Sequence, residues 1–429
     1  YFTKAFEQSD KFEKPDTKKI IIFALAFFFL FWNLGRADLN TDEVDIGYSS
    51  YDLVDGMVAG RNAYFISTHG HTPLVSTVNH FGAQLINDSG FEDVSDWALR
   101  SVNAFTAFLS LLFLSFLLRK YPKNFQYAVL ILTLSSATFL FTGRVILREV
   151  FMMLFVLLSL SFLQKFVEAG SKRDLILCGI FSAAIMLSKS VVFYIPLIIG
   201  LSIFLSSAKA DKLKNISLYF GVNFILFLPV IIFNIGSYIK TGYMDILFSK
   251  VFGIYNPAGY TGDRAYESGF VSNMLLIIKN FSDQYSFLAL LLLTLGLFAA
   301  MHKFLRGKLN KEDSFLLLLL SVSLLFFAST GLRAYYLIFL APVFIYFIVK
   351  GILILRYKVP QVLVSLLLLI NISIISFNTH ISEAYTVEAK WNDSGRSGMP
   401  EAPIELFRAY SLTIRPWVEN YAWKELRAF

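Results

Sequence analysis

Apolar runs of roughly 16–25 residues recur along this chain, and each is long enough for a helix to cross the hydrocarbon of a bilayer. Such runs lie at 19–34, 98–118, 124–142, 149–167, 174–188, 191–208, 215–238, 284–302, 314–330, 334–352 and 359–378. Backbone polar groups find no partners in lipid, so spanning segments this apolar must be helices. Of the 429 residues, 56% are hydrophobic, and the mean hydropathy is +0.60. A soluble domain of that length needs far more polar surface, so the excess apolar side chains must face lipid. The expected fold is an all-α integral membrane protein, a polytopic bundle of about eleven transmembrane helices. The first run is long and lacks a small-residue cleavage site, so no cleavable signal peptide is expected.

Lys and Arg set the orientation. If the segment with Lys18 and Lys19 is cytoplasmic, every second loop should be basic. The loops holding Arg119, Lys120 and Lys123, then Lys165, Lys172 and Arg173, then Lys209, Lys212 and Lys214 obey the rule. So do those with Lys303, Arg306, Lys308 and Lys311, and with Lys350, Arg356 and Lys358. This predicts a cytoplasmic segment at 1–18, a transmembrane domain at 19–378 and an extracytoplasmic tail at 379–429. Two long loops, 35–97 and 239–283, then fall on the outer face. The first is too long for a mere connector and is expected to hold amphipathic surface helices, one of them around TPLVSTVNHFGAQLI.

Four features converge on that outer face. Asp42 and Glu43 follow the first span; Glu149 opens the fourth, with Arg144 and Arg148 just before it. Lys189 sits in a short break between apolar runs, and Arg333 precedes Tyr335 and Tyr336 at the mouth of another. A carboxylate can take a proton from an attacking hydroxyl, while Lys and Arg hold a departing phosphate. Arg suits bidentate phosphate contact, and Lys acts as a compact point charge. The pattern fits transfer of a group from a lipid phosphate to a hydroxyl at the membrane surface.

The stretches TDE (41–43), HTPL (71–74), GRVILRE (143–149), LSKS (187–190) and RAYYL (333–337), in this order, resemble the GT-C glycosyltransferases. Within them, the chain is most similar to the group of protein O-mannosyltransferases and lipid A aminoarabinose transferases. The resemblance implies a polyprenyl- or dolichyl-phosphate sugar as donor and an inverting transfer without a nucleotide sugar. It makes Asp42 the catalytic base, with Glu43 its neighbour in the motif and Glu149 in place of the family's usual Asp. It assigns Lys189 and Arg333 to the donor phosphate, joined by Arg144, Arg148 and Tyr335, and His71 to substrate contact. Tyr255 and Tyr260, in the Gly- and Tyr-rich loop NPAGYTGDRAYESGF, are placed to stack on sugar if that loop is a lid.

Simpler readings stand beside these. Acids at 42 and 43 also suit a helix N-terminus, Glu149 with Arg148 an ordinary ion pair, and Lys189 a snorkelling side chain. His80 reads as a surface residue, and Trp32 and Trp97 as members of an aromatic belt. His69 and His71 leave a divalent metal open, since two histidines lack a third ligand; no other cofactor is indicated. The expected partners are a lipid-phosphate-linked sugar, a protein, glycan or lipid acceptor and membrane lipids, with no nucleic acid. The expected location is a prokaryotic inner membrane with the site on its extracytoplasmic face. A transporter or flippase for a lipid-linked anion is the alternative, and it requires ionisable residues near the middle of helices.

Overall fold

The computed structural model describes residues 16–32, 34, 73–86, 94–189, 192–208, 210–242, 269–330, 338–355 and 357–380, with isolated positions 244, 248 and 252. Among these residues all regular structure is helical. In chain order the helices are α1 (Thr17–Phe31), α2 (Pro73–Ile86), α3 (Asp96–Leu117), α4 (Lys123–Ser135), α5 (Ala137–Arg144), α6 (Arg148–Ala169) and α7 (Lys172–Ser188). They continue as α8 (Tyr194–Ser206), α9 (Lys212–Thr241), α10 (Phe270–Tyr285), α11 (Phe287–Leu305), α12 (Lys311–Thr330), α13 (Ala341–Leu353) and α14 (Lys358–His380).

Each expected apolar run coincides with a helix or a helix pair. Among the described residues, by length and composition, six helices can each cross a membrane alone, or seven spans counting one bent pair. The bent pair is α4 and α5, which meet at 60° where a single span was expected. Ser136 makes the break. Its hydroxyl donates to the Thr133 carbonyl at 2.9 Å, closing α4, and accepts from the Phe139 amide at 3.3 Å, capping α5. Segment 270–283, expected within an outer loop, instead belongs to the amphipathic helix α10, which packs against α12, α14 and α5.

The helix expected on the surface near residue 72 is α2. It buries Val75, Ser76, Asn79, His80 and Ala83 on one face and exposes Phe81 and Leu85 on the other. That face packs on α3 and α7, so His80 is buried at 1% exposure rather than at the surface. Trp32 and Trp97 remain exposed, as a belt position requires.

The core is continuous from α3 and α6 through α7, α8 and α13. Gly170, with φ of 67°, ends α6 in the left-handed region, and Ser171 caps α7, so α6 and α7 form a tight antiparallel hairpin. The basic end of the bundle is tied by a polar network. Asp313 accepts from the Tyr346 hydroxyl, from Lys350 Nζ at 3.3 Å and from Asn310 Nδ2 at 3.2 Å. The Tyr346 and Tyr121 hydroxyls lie 2.9 Å apart, and Tyr121 donates to Glu312 at 3.1 Å. In the six long helices every charged residue lies among the first or last five positions, leaving the central stretches without charge.

Candidate active site

The α6–α7 hairpin returns the chain to the end where α6 began, so the first turn of α6 and the last turn of α7 lie side by side. Lys189 is the residue that caps α7, its amide donating to the Ile185 carbonyl at 3.1 Å. Its Nζ reaches Glu149 Oε1, in the first turn of α6, at 2.5 Å. The side chains are 6% and 3% exposed, so this is a buried ion pair. Charges taken out of water lose several kcal/mol of hydration each, and close pairing recovers that loss only where partners are well placed. Two residues predicted from separate motifs therefore form one unit.

No side chain caps the start of α6; instead, the chain entering it is held from α3. Asn103, fully buried, donates through Nδ2 to the Val145 and Leu147 carbonyls, each at 2.9 Å. Leu147 is the residue immediately before α6, so this amide sets the direction from which Glu149 enters the site. The positive end of the helix dipole favours an anion here, and Arg148 beside it is buried at 8% exposure.

Two further arginines bind the end of α1. Arg144 donates through Nη1 to the Phe29 carbonyl and through Nη2 to the Trp32 carbonyl at 2.7 Å. Arg100 donates through Nη1 to the Leu34 carbonyl at 3.1 Å. These carbonyls lie at the helix end, where the α-helix itself supplies no donors. Both cations therefore have a structural use, and both are buried. Arg100 carries no motif; its only sequence signal is a cation near the start of an otherwise apolar helix.

Glu149, Lys189, Arg144 and Arg148 are thus gathered at one end, with Arg100 and Asn103 as additions. The first loop leaves from the same end, since Leu34 is bound there by Arg100. The chain also leaves α12 there: Phe326 and Phe327 pack on Tyr194, at the start of α8, with ring centroids 4.7 and 6.5 Å away. Asp42, Glu43, His71, Tyr255, Tyr260, Arg333 and Tyr335 lie outside the described residues, as does His69. Among the described residues no group of three His, Cys, Asp or Glu side chains gathers as a metal site. A groove of about 640 Å³ runs beside α1, lined by Ile21, Leu25, Trp32, Ile131 and Leu140, with Ser376 of α14 along its wall.

The family described as dolichyl-phosphate-mannose-protein mannosyltransferase matches residues 70–233. Among solved structures, ArnT from Cupriavidus metallidurans in the apo state is similar at a TM-score of 0.58 with 14% identity, covering 82% of this chain and 62% of that one. The same protein bound to undecaprenyl phosphate gives 0.59 with 14% identity, covering 92% and 69%. The archaeal oligosaccharyltransferase AglB from Archaeoglobus fulgidus, in complex with an inhibitory peptide and a dolichol-phosphate, gives 0.52 with 15% identity, covering 83% and 55%. No protein of curated function matches the sequence. The chain spans 62% of the apo ArnT chain and just over half of AglB, and at these identities the likeness is one of fold. The chain is an integral membrane protein that resembles the GT-C glycosyltransferases of the O-mannosyltransferase and ArnT kind.

Proposed function

We propose that this chain transfers a sugar from a polyprenyl- or dolichyl-phosphate to a hydroxyl acceptor on the extracytoplasmic face of a membrane. The observation that carries the reading is the buried Glu149–Lys189 pair among Arg148, Arg144 and Arg100, in a fold shared with an undecaprenyl-phosphate-bound enzyme. Asp42 takes the proton from the acceptor hydroxyl, whose oxygen bonds to the anomeric carbon as the bond from that carbon to the phosphate oxygen breaks. The lipid phosphate leaves with the electron pair. General-base assistance of this kind contributes roughly two to four powers of ten in rate.

Lys189 and Arg148, with Arg333 and Tyr335, bind the leaving phosphate at the positive end of α6. Arg144, engaged by the carbonyls of α1, supplies fixed positive charge rather than a moving contact. Glu149 holds the Lys189 ammonium aimed before donor arrives. Glu43 supports Asp42, and His71, Tyr255 and Tyr260 contact substrate. The groove beside α1 accommodates the isoprenoid chain. Charge confined to the ends of the six long helices supports transfer over transport, which needs ionisable groups at mid-depth.

The test is to incubate the purified protein, in lipid, with a panel of polyprenyl-phosphate sugars and to follow release of the lipid phosphate by mass spectrometry. One donor should be consumed, and Asp42→Asn should abolish consumption while donor binding persists. Undiminished turnover by that variant removes Asp42 from the mechanism.

A further inference from the structure

At the basic end of the bundle, far from the Glu149–Lys189 pair, lies a second cavity of about 340 Å³. It is lined by α4, by the ends of α3, α6 and α8 and by the starts of α12 and α13. Its volume falls in the range of ligand pockets. The deep walls are apolar: Leu114, Val129, Leu157 and Val343. The mouth is polar and carries two cations, Lys120 and Lys311, and two anions, Glu168 and Glu312. Glu168 and Glu149 are both on α6, nineteen positions apart, or about 28 Å along the helix axis. A phosphate at one end cannot serve the other, so this cavity is no part of the proposed transfer site.

The apolar walls exclude a column of water, because water needs polar partners that they do not offer. An empty space of this size also forfeits the dispersion contacts of the atoms that line it. A hydrocarbon chain restores them. The mouth then selects the headgroup. Glu312 is already matched by Lys120 and by the Tyr121 hydroxyl. Lys311 is exposed, and Glu168 has Gln164 as a neutral partner at 2.8 Å. Lys311 and Glu168 stand at the exposed side of the mouth, Glu168 also within the field of Lys120, and the mouth as a whole is neutral.

We infer that this cavity is a structural lipid site, holding one chain of a zwitterionic phospholipid whose phosphate meets Lys311 and whose ammonium meets Glu168. The inference stands apart from the transfer reading, because it uses neither end of the Glu149–Lys189 pair.

The full chain, reconstituted in nanodiscs of defined phospholipid, is doped with an ethanolamine-headgroup phospholipid carrying a diazirine near the end of one chain. After irradiation, adducts are mapped by peptide mass spectrometry. Labelling should concentrate on peptides containing Leu114, Leu157 and Val343. Leu160→Trp, which fills the cavity, should lose that labelling while lipid-facing peptides around Phe298 and Leu363 keep theirs. Ser206→Phe, near the mouth, serves as a second filling variant should the first fail to purify as a monodisperse protein. Glu168→Lys should weaken labelling by the ethanolamine probe. Adducts spread evenly over lipid-facing helices, or cavity labelling unchanged by both filling variants, overturn the site. Equal cavity labelling by an anionic glycerol-headgroup probe overturns the zwitterionic assignment.

Discussion

Lys189 and Glu149 stand 40 positions apart in sequence, yet their side chains close a buried ion pair across the open end of a single helical hairpin. Removing one partner leaves the other charge buried and uncompensated, which costs about 3–5 kcal/mol in comparable pairs. Lys189→Met and Glu149→Met should each lower thermal stability clearly. The double variant Glu149→Met/Lys189→Met should recover most of that loss, because an apolar pair of similar volume replaces an ionic one. Both single variants and the double should lose lipid-phosphate release. Melting curves of the four proteins close the cycle; additive losses would mean that the two charges do not act as a pair.

Gly296 of α11 and Gly351 of α13 allow those helices to cross at main-chain distance. A Cβ built on Gly296 falls 2.0 Å from the Phe347 carbonyl oxygen, and one on Gly351 falls 2.1 Å from the Leu292 carbonyl oxygen. Both obstacles are backbone, so no side chain can turn aside. Small residues at such crossings are how membrane helices approach closely. Gly296→Ala and Gly351→Ala should each destabilise by about 1–3 kcal/mol or more, as overpacking does. Gly221→Ala is the control: nothing lies within 4 Å of its added Cβ, and alanine favours helix. Thermal unfolding followed by tryptophan fluorescence separates the three.

The spans were legible because lipid imposes one rule on every turn of a helix, and apolar length alone reports it. Glu149 and Lys189 were legible because each interrupts an apolar run, where an ionisable group is costly. That they would meet was visible only through the short link around Gly170, which makes α6 and α7 neighbours. Asn103 gave no signal, since its carbonyl partners lie 42 and 44 positions away and an amide within a helix has many uses. His80 misled because burial of α2 against α3 and α7 is a tertiary property, whereas no motif in the surrounding sequence marks it. The break at Ser136 was hidden for a related reason: a serine inside an apolar run satisfies its hydroxyl on its own helix as readily as it ends one.

Asp16 and Tyr127 give a pH dependence with a definite sign. Tyr127 donates its hydroxyl to both carboxylate oxygens of Asp16, at 2.9 and 2.7 Å, and Asp16 also caps α1 through the Lys19 amide. The Tyr127 hydrogen bond, aided by the Lys19 amide and the charges of Lys123 and Lys19, outweighs desolvation and holds the Asp16 carboxyl below its ordinary 3.8. A depressed folded-state value means that the stabilisation is complete above the unfolded value and is lost as pH falls through the folded one. Wild type should therefore melt higher than Asp16→Asn at neutral pH, with the difference constant down to about pH 5 and shrinking below about pH 4. A gap that does not change between pH 7 and pH 3 would show that the carboxylate charge is not what ties α1 to α4.

Asn103 should act on the proposed reaction without touching substrate. Its single Nδ2 group serves the Val145 and Leu147 carbonyls, and Leu147 leads directly into the turn that carries Glu149. Asn103→Ala leaves two buried carbonyls without this donor, a loss of about 1–3 kcal/mol for each group left unsatisfied. Asn103→Asp is worse, because a carboxylate presents oxygen to oxygen at both contacts. Stability should fall in the order wild type, Asn103→Ala, Asn103→Asp. If the amide positions Glu149 and Lys189, lipid-phosphate release by Asn103→Ala should drop further than the folded fraction does at the assay temperature. Turnover per folded molecule equal to wild type would confine Asn103 to holding the loop, with no effect on the pair.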